Sequence, residues 1–215
     1  MKDKKPNYPF LWFTKITGLP LLAYFKTKIY CEGGDMTLRH PKKPCIIMSN
    51  HTSLFDFALH LALFYFRTVR FLMAEVLFDG RPVLSRFLYA MGGIRVDRDA
   101  YDFSFVGKAL DILDRGGTVG VFPEGRLPRG EKNLPFKPGI VYIALRTDAP
   151  IIPVCIDGNY GLFKRTHVLF GKEINIRDWC TSENPSDKEI GEITEKLKAR
   201  MDEMKRELER LKNAK

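Results

Sequence analysis

Cys45-Ile46-Ile47-Met48-Ser49-Asn50-His51-Thr52-Ser53-Leu54-Phe55-Asp56 is an apolar run that stops in a polar cluster and resumes as a helical apolar pattern to Phe66. A short apolar run bounded by turn formers reads as a strand buried on both faces, the form strands take in parallel sheets. The same alternation recurs along the chain. It predicts strands near Lys28 to Cys31, Cys45 to Ser49, Val69 to Met73, Ile94 to Val96, Thr118 to Phe122 and Ile151 to Ile156. Helices fall between them, near Leu54 to Phe66, Arg81 to Met91, Phe103 to Arg115 and Gly139 to Thr147. Strands alternating with helices specify an α/β fold, here a single domain with an open, mostly parallel sheet flanked by helices. His167 to Ile176 reads as a hairpin or edge strand turning at Gly171. Ser186, followed three residues on by Glu189, is a capping box that opens a last helix with the stripe Ile190, Ile193, Leu197, Met201, Met204, Leu208 and Leu211. Its charged face is expected to be solvated.

A chain of 215 residues suits one core, and 45% apolar with 28% charged residues excludes both disorder and a many-helix membrane protein. The net charge of +9 favours a polyanionic partner. Basic residues are scattered without an aromatic-basic signature, which favours phosphate or a membrane surface over nucleic acid. Cys31, Cys45, Cys155 and Cys180 form no Cys-x-x-Cys pair and have no His at zinc-ligand spacing, so reduced thiols and no metal are expected. Leu54 to Met73 is the richest candidate for a membrane span, but it carries Asp56, His60, Arg67 and Arg70 and reads as a core helix. Tyr8 to Phe25 crowds Phe10, Leu11, Trp12, Phe13, Ile16 and further apolar residues around Lys15, with Lys26 and Lys28 adjacent. That composition suits an amphipathic interfacial helix, aromatics at headgroup depth and lysines near anionic lipid; packing on the domain's own core is the alternative.

Three polar clusters each follow an expected strand: Asn50 to Asp56, Asp97-Arg98 and Glu124-Gly125-Arg126. Open α/β sheets bind ligands beyond the carboxyl ends of their strands, so the three converge on one site. In continuous helix His51 and Asp56 would point roughly 140° apart. With Thr52 or Ser53 as N-cap, His51 lies in the loop and Asp56 in the first turn, where its carboxylate turns back to the imidazole. A base with its orienter results, without a nucleophile of its own. After Phe122-Pro123 the glycine of Glu124-Gly125 permits close backbone approach, and Arg126, Arg129, Lys132 and Lys137 crowd the next loop, where guanidinium groups suit bidentate phosphate contacts and a solvated basic loop is the alternative. Arg98 adds a further candidate phosphate contact.

The order of these clusters resembles the 1-acylglycerol-3-phosphate acyltransferase family of the glycerolipid acyltransferases. The blocks are Asn50-His51-Thr52-Ser53-Leu54-Phe55-Asp56, Gly93 to Arg98, Phe122-Pro123-Glu124-Gly125 and Ala149-Pro150-Ile151-Ile152-Pro153-Val154, and the resemblance runs from about Lys28 to Gly158. It implies transfer of an acyl group from acyl-CoA or acyl carrier protein, as co-substrate, to the 2-hydroxyl of a lysophosphatidate, with no cofactor. His51 and Asp56 would be the catalytic pair. Arg98, Glu124, Gly125, Arg126, Arg129 and Lys137 would bind the acceptor. The family commonly places Thr then Arg after Phe-Pro-Glu-Gly, whereas here Arg126 follows at once, which leaves open whether Arg126 or Arg129 meets the phosphate. On this reading 1–27 is a membrane-contact segment and 28–215 the acyltransferase domain, held peripherally or monotopically at the cytoplasmic face of a membrane with anionic lipid. Other lysolipids, glycerol 3-phosphate or an aminolipid are alternative acceptors, and a non-enzymatic lipid- or anionic-surface-binding module is the competing class.

Overall fold

Alternate residues of the apolar run diverge to opposite faces: Ile46 and Met48 enter one core, Cys45 and Ile47 the other. That division organises the whole chain. The computed structural model describes residues 5–214 apart from Lys43, 98–103, Arg129, 131–133 and Leu162. Its strands are β1 (Lys28–Cys31), β2 (Cys45–Ser49), β3 (Val69–Ala74), β4 (Ile94–Val96), β5 (Thr118–Val121), β6 (Ile151–Ile156) and β7 (His167–Phe170). Its α-helices are α1 (Tyr8–Tyr24), α2 (Phe55–Leu63), α3 (Pro82–Ala90), α4 (Ser104–Asp114), α5 (Gly139–Ala144) and α6 (Asp187–Asn213).

The strands form one sheet in the order β1-β7-β6-β2-β5-β3-β4, parallel at every pairing except β6 with β7. Helices α4, α5 and α6 cover the face carrying Ile46, Met48, Val119 and Ile151. Helix α2 covers the face carrying Ile47, Phe71, Ile152 and Val154. With both faces covered, the central strands β2, β5 and β6 are buried throughout, as their unbroken apolar runs require. Gly120 of β5 is obligatory for packing: a Cβ there would stand 2.5 Å from the Phe71 ring. The ring takes the volume that any side chain would need.

Two expectations change in three dimensions. His167 to Ile176 is neither a hairpin nor an edge. β7 lies between β6 and β1, and its antiparallel pairing continues past Gly171 to a bridge between Ile174 and Ile151, because both faces of Val168 to Phe170 find apolar cover. Ser186 does cap α6, its Oγ accepting from Glu189 N–H at 3.3 Å, and six of the seven stripe residues are buried.

Helix α1 also differs. Its apolar residues surround the axis and do not form one stripe. Leu11 packs inward, and Lys15, expected near lipid, is buried at 4% exposure. The Lys15 ammonium donates to the carbonyls of Phe64, Tyr65 and Arg67 at 3.0, 2.8 and 2.5 Å, where α2 ends. Helix termini leave carbonyls unsatisfied and partially negative, so a cation there is stabilising. Tyr8, Trp12, Phe13 and Ile16 face outward, each more than 40% exposed. No described helix is long and apolar enough to cross a membrane.

Candidate active site

The carboxyl ends of β2, β5 and β6 bring together the chemistry-bearing loops. Asn50 ties two of them: its side-chain amide donates to Ile156 O and accepts from Ile156 N–H, both at 2.8 Å. Asp56 sits in the first turn of α2 with its carboxylate turned back and fully buried. His51 Nδ1 meets Oδ2 at 2.8 Å, and because a carboxylate only accepts, Nδ1 carries the hydrogen and Nε2 is left to take a proton.

The carboxylate is heavily held. The N–H groups of Thr52 and Ser53 donate to Oδ2 at 2.6 and 2.8 Å, while Thr52 Oγ1 and Tyr160 OH donate to Oδ1 at 2.7 and 2.6 Å. Burial alone would raise its pKa, but the hydrogen bonds from His51, Tyr160, Ser53 and Thr52 hold Asp56 below the ordinary value, so it stays ionised. Tyr160 moves the other way: burial, then the Asp56 charge, pushes its phenol up, so it remains a donor. Gly158 permits this arrangement, since it has φ +69° and a Cβ there would stand 2.7 Å from Thr52 Oγ1.

The imidazole is set by stacking as well. Phe122 lies against His51 with centroids 4.3 Å apart and planes at 14°, and Phe71 stacks on Phe122 at 4.9 Å and 19°. The glycine that admits Phe71 thus supports the His51 imidazole two rings away. His60, one turn along α2, is fully buried with Nδ1 2.8 Å from Asp56 O, and burial lowers its pKa to about 4, so it is neutral.

His51 opens on a cleft of about 290 Å³ lined by Asn50, Thr52, Glu124, Phe136 and Cys155 and, across from them, by Lys198, Asp202 and Lys205 of α6. Glu124 is 8% exposed, and its Oε2 has no partner. Burial pushes its carboxyl up, against the backbone amides of Glu124 and His51 and the charge of Lys205. Cys155 is no nucleophile, because burial pushes its thiol up to about 12. Among the described residues, no group of three or more His, Cys, Asp or Glu is placed to hold a metal ion.

A family model described as Acyltransferase matches residues 28–157, more than half of the chain and all three of these strand ends. The chain belongs to the Acyltransferase family. Among curated relatives of this acyltransferase chain, the 1-acyl-sn-glycerol-3-phosphate acyltransferase of Limnanthes douglasii is 32% identical over 152 residues, covering 65% of this chain and 53% of that protein. The enzyme of that name from Bacillus subtilis is 28% identical over 148 residues, covering 66% of this chain and 72% of that protein. The chain spans about half the length of the first of these relatives. Its fold is that of the 1-acyl-sn-glycerophosphate acyltransferase of Thermotoga maritima, whose crystal structure superposes with a TM-score of 0.64 at 23% identity, over 91% of this chain and 79% of that one.

Within this acyltransferase fold the sequence-derived candidates separate. His51, Asp56 and Glu124 gather at the cleft. Gly125 adopts φ +68° beneath the Lys137 stem, which a Cβ would approach to 3.2 Å. Arg126 and Lys137 are exposed and are not part of the cleft wall. Arg98 and Arg129 lie outside the described residues. Tyr160, Thr52 and Phe122 all contact the His51–Asp56 pair; the sequence marks Thr52 only as a candidate helix cap and Phe122 only as part of its block, and does not mark Tyr160. Tyr160 lies beyond the resembling stretch, and nothing in its local pattern distinguishes it. Lys198 and Lys205 of α6 line the cleft wall, where the charge pattern of that helix predicts a solvated face.

Proposed function

We propose that this protein transfers a fatty acyl group from a thioester of coenzyme A or acyl carrier protein to the 2-hydroxyl of 1-acylglycerol 3-phosphate. The observation that carries this reading is the His51–Asp56 pair, 2.8 Å apart on a cleft whose one described cysteine, Cys155, is buried with its thiol pushed up to about 12. His51 Nε2 takes the acceptor hydroxyl's proton as its oxygen attacks the thioester carbonyl. The tetrahedral intermediate collapses with cleavage of the carbon–sulfur bond, and the imidazolium returns the proton to the thiolate. Asp56 stabilises the imidazolium, and a base so placed contributes about 10² to 10⁴ in rate. Buried Glu124, with an oxygen unsatisfied, lines the same cleft as His51 and is the acceptor-binding carboxyl on this reading. The names of the relatives favour a lysophosphatidate acceptor.

The reaction takes place at a membrane surface. A helix apolar all round, with one side covered by the domain and Tyr8, Trp12, Phe13 and Ile16 uncovered, needs a second apolar medium. The neighbouring exposed Phe66 extends that surface. Residues 1–27 are accordingly proposed as the membrane-contact segment and 28–215 as the acyltransferase domain, held without crossing the bilayer.

The test is acyl transfer from palmitoyl thioesters of both carriers to lysophosphatidate in mixed micelles, with His51→Ala alongside. Product from the wild type and none from the folded variant is expected. Turnover by His51→Ala near the wild-type rate would overturn the mechanism, and wild-type product only with a different acceptor would move the substrate.

A further inference from the structure

Next to its buried stripe, α6 carries a polar one: Lys198, Asp202, Lys205 and Glu209 all line the cleft that His51 opens on. This wall is not the open solvent that the charge pattern of α6 suggested. Its acids are mostly neutralised already. Asp157 holds His167 at 3.0 Å and Lys212 at 3.2 Å, and Lys212 also reaches Glu209 at 2.9 Å. Asp202 lies between Lys198 at 2.9 Å and Lys205 at 3.5 Å.

The two lysines are not equivalent. Lys198 is closely held and its side chain is 21% exposed, whereas Lys205 stands at the long limit of a hydrogen bond with its side chain 39% exposed. An ammonium on a four-carbon stem moves between anions readily. A phosphate monoester carries about −1.5 to −2 charges near neutral pH, against one for Asp202, and Asp202 retains Lys198 when Lys205 leaves. Glu124, with its unpartnered oxygen, lines the same cleft. A volume of about 290 Å³ is at the lower limit for a small-molecule site, so it fits a polar head group and not the whole lipid.

We propose that Lys205 binds the phosphate of the acceptor, so that the head group spans from Lys205 on α6 to Glu124 and His51 at the sheet edge. This rests on the reading that the acceptor is a phosphate monoester, and it assigns a specificity-determining residue outside the 28–157 stretch that the family model matches. Arg126 is exposed and is not part of the cleft lining, so among the described lining residues the positive charge comes from α6.

Two measurements on the full chain decide it. Binding of sn-glycerol 3-phosphate by calorimetry is expected to weaken roughly 10- to 100-fold in Lys205→Met and to recover most of its strength in Lys205→Arg, as loss and return of a charge-assisted contact predict. In turnover, Lys205→Met raises the KM for lysophosphatidate by a similar factor with kcat within about threefold of wild type, and leaves the kinetics with 1-monoacylglycerol, which lacks the phosphate, unchanged. Unaltered binding and KM would overturn the proposal. So would equal losses with both acceptors, since a merely structural lysine would give that result. A wild type that turns over no lysophosphatidate yet binds glycerol 3-phosphate through Lys205 would overturn the acceptor assignment and uphold the phosphate site.

Discussion

Tyr160 donates its hydroxyl to Asp56 Oδ1 at 2.6 Å, joining the loop after β6 to the first turn of α2 across 104 residues of sequence. That bond completes a set of donors that keeps a fully buried carboxylate charged, and a charged carboxylate is what fixes the His51 tautomer. The electrostatic setting of the His51 imidazole therefore depends on a residue remote from the His–Asp motif.

Asp56→Asn is expected to lower turnover by about 10² to 10⁴ while the protein remains folded, since the amide cannot stabilise an imidazolium. Tyr160→Phe keeps the carboxylate and removes one donor. With fewer donors the carboxylate is held less firmly ionised and the dyad protonates at higher pH, so the acidic limb of kcat/KM shifts upward in pH. A pH–rate profile with an unmoved acidic limb would show that Tyr160 has no influence on the pair.

Gly120→Ala should disturb the site without touching it. The new methyl meets the Phe71 ring at 2.5 Å, and displacement passes through Phe122 to His51. Overpacking of this kind costs about 1–3 kcal/mol. Urea denaturation should record that loss, and turnover should fall further than stability explains. Phe71→Leu in the same chain should restore part of both.

His60 gives stability a pH dependence of its own. The unfolded chain protonates it near the ordinary 6.5, the folded chain only at about 4, so between those values the unfolded state binds more protons. Stability is thus retained above 6.5 and falls as the pH drops toward 4, by about 3 kcal/mol for a shift of this size. Denaturation midpoints measured from pH 7 to 4 should show that slope, and His60→Leu should flatten it. An unchanged slope in the variant would assign the effect to other groups.

Helix α1 has two separable roles that sedimentation with anionic vesicles and denaturation can tell apart. Lys15→Met strands carbonyls at the end of α2 and should cost about 1–3 kcal/mol while vesicle binding persists. Trp12→Ser with Phe13→Ser should instead weaken vesicle binding and leave the denaturation midpoint nearly unchanged, because both side chains already face outward. Full vesicle binding by the double variant would remove α1 as the contact.

Much of this molecule is legible from local pattern. Apolar runs between turn formers located six strands, and Ser186 with Glu189 located the start of α6, because strand burial and helix capping are decided by neighbours in sequence. The five-residue interval between His51 and Asp56 identified a pair that only a helix start can bring together, and the structure has that geometry at 2.8 Å. These are properties of a few consecutive residues.

Tertiary structure alone decided the rest. Lys15 and the lysines of α6 look alike in sequence, each a cation among apolar residues, yet one is buried on carbonyls and others line a cleft. Tyr160 and Gly158 matter because β6 ends beside β2, and Gly120 because Phe71 of the adjacent strand needs its volume. A residue's chemical type travels with the sequence. Its solvent, its partners and the charge it can hold are set by segments far along the chain, and those segments meet only when the sheet order is formed.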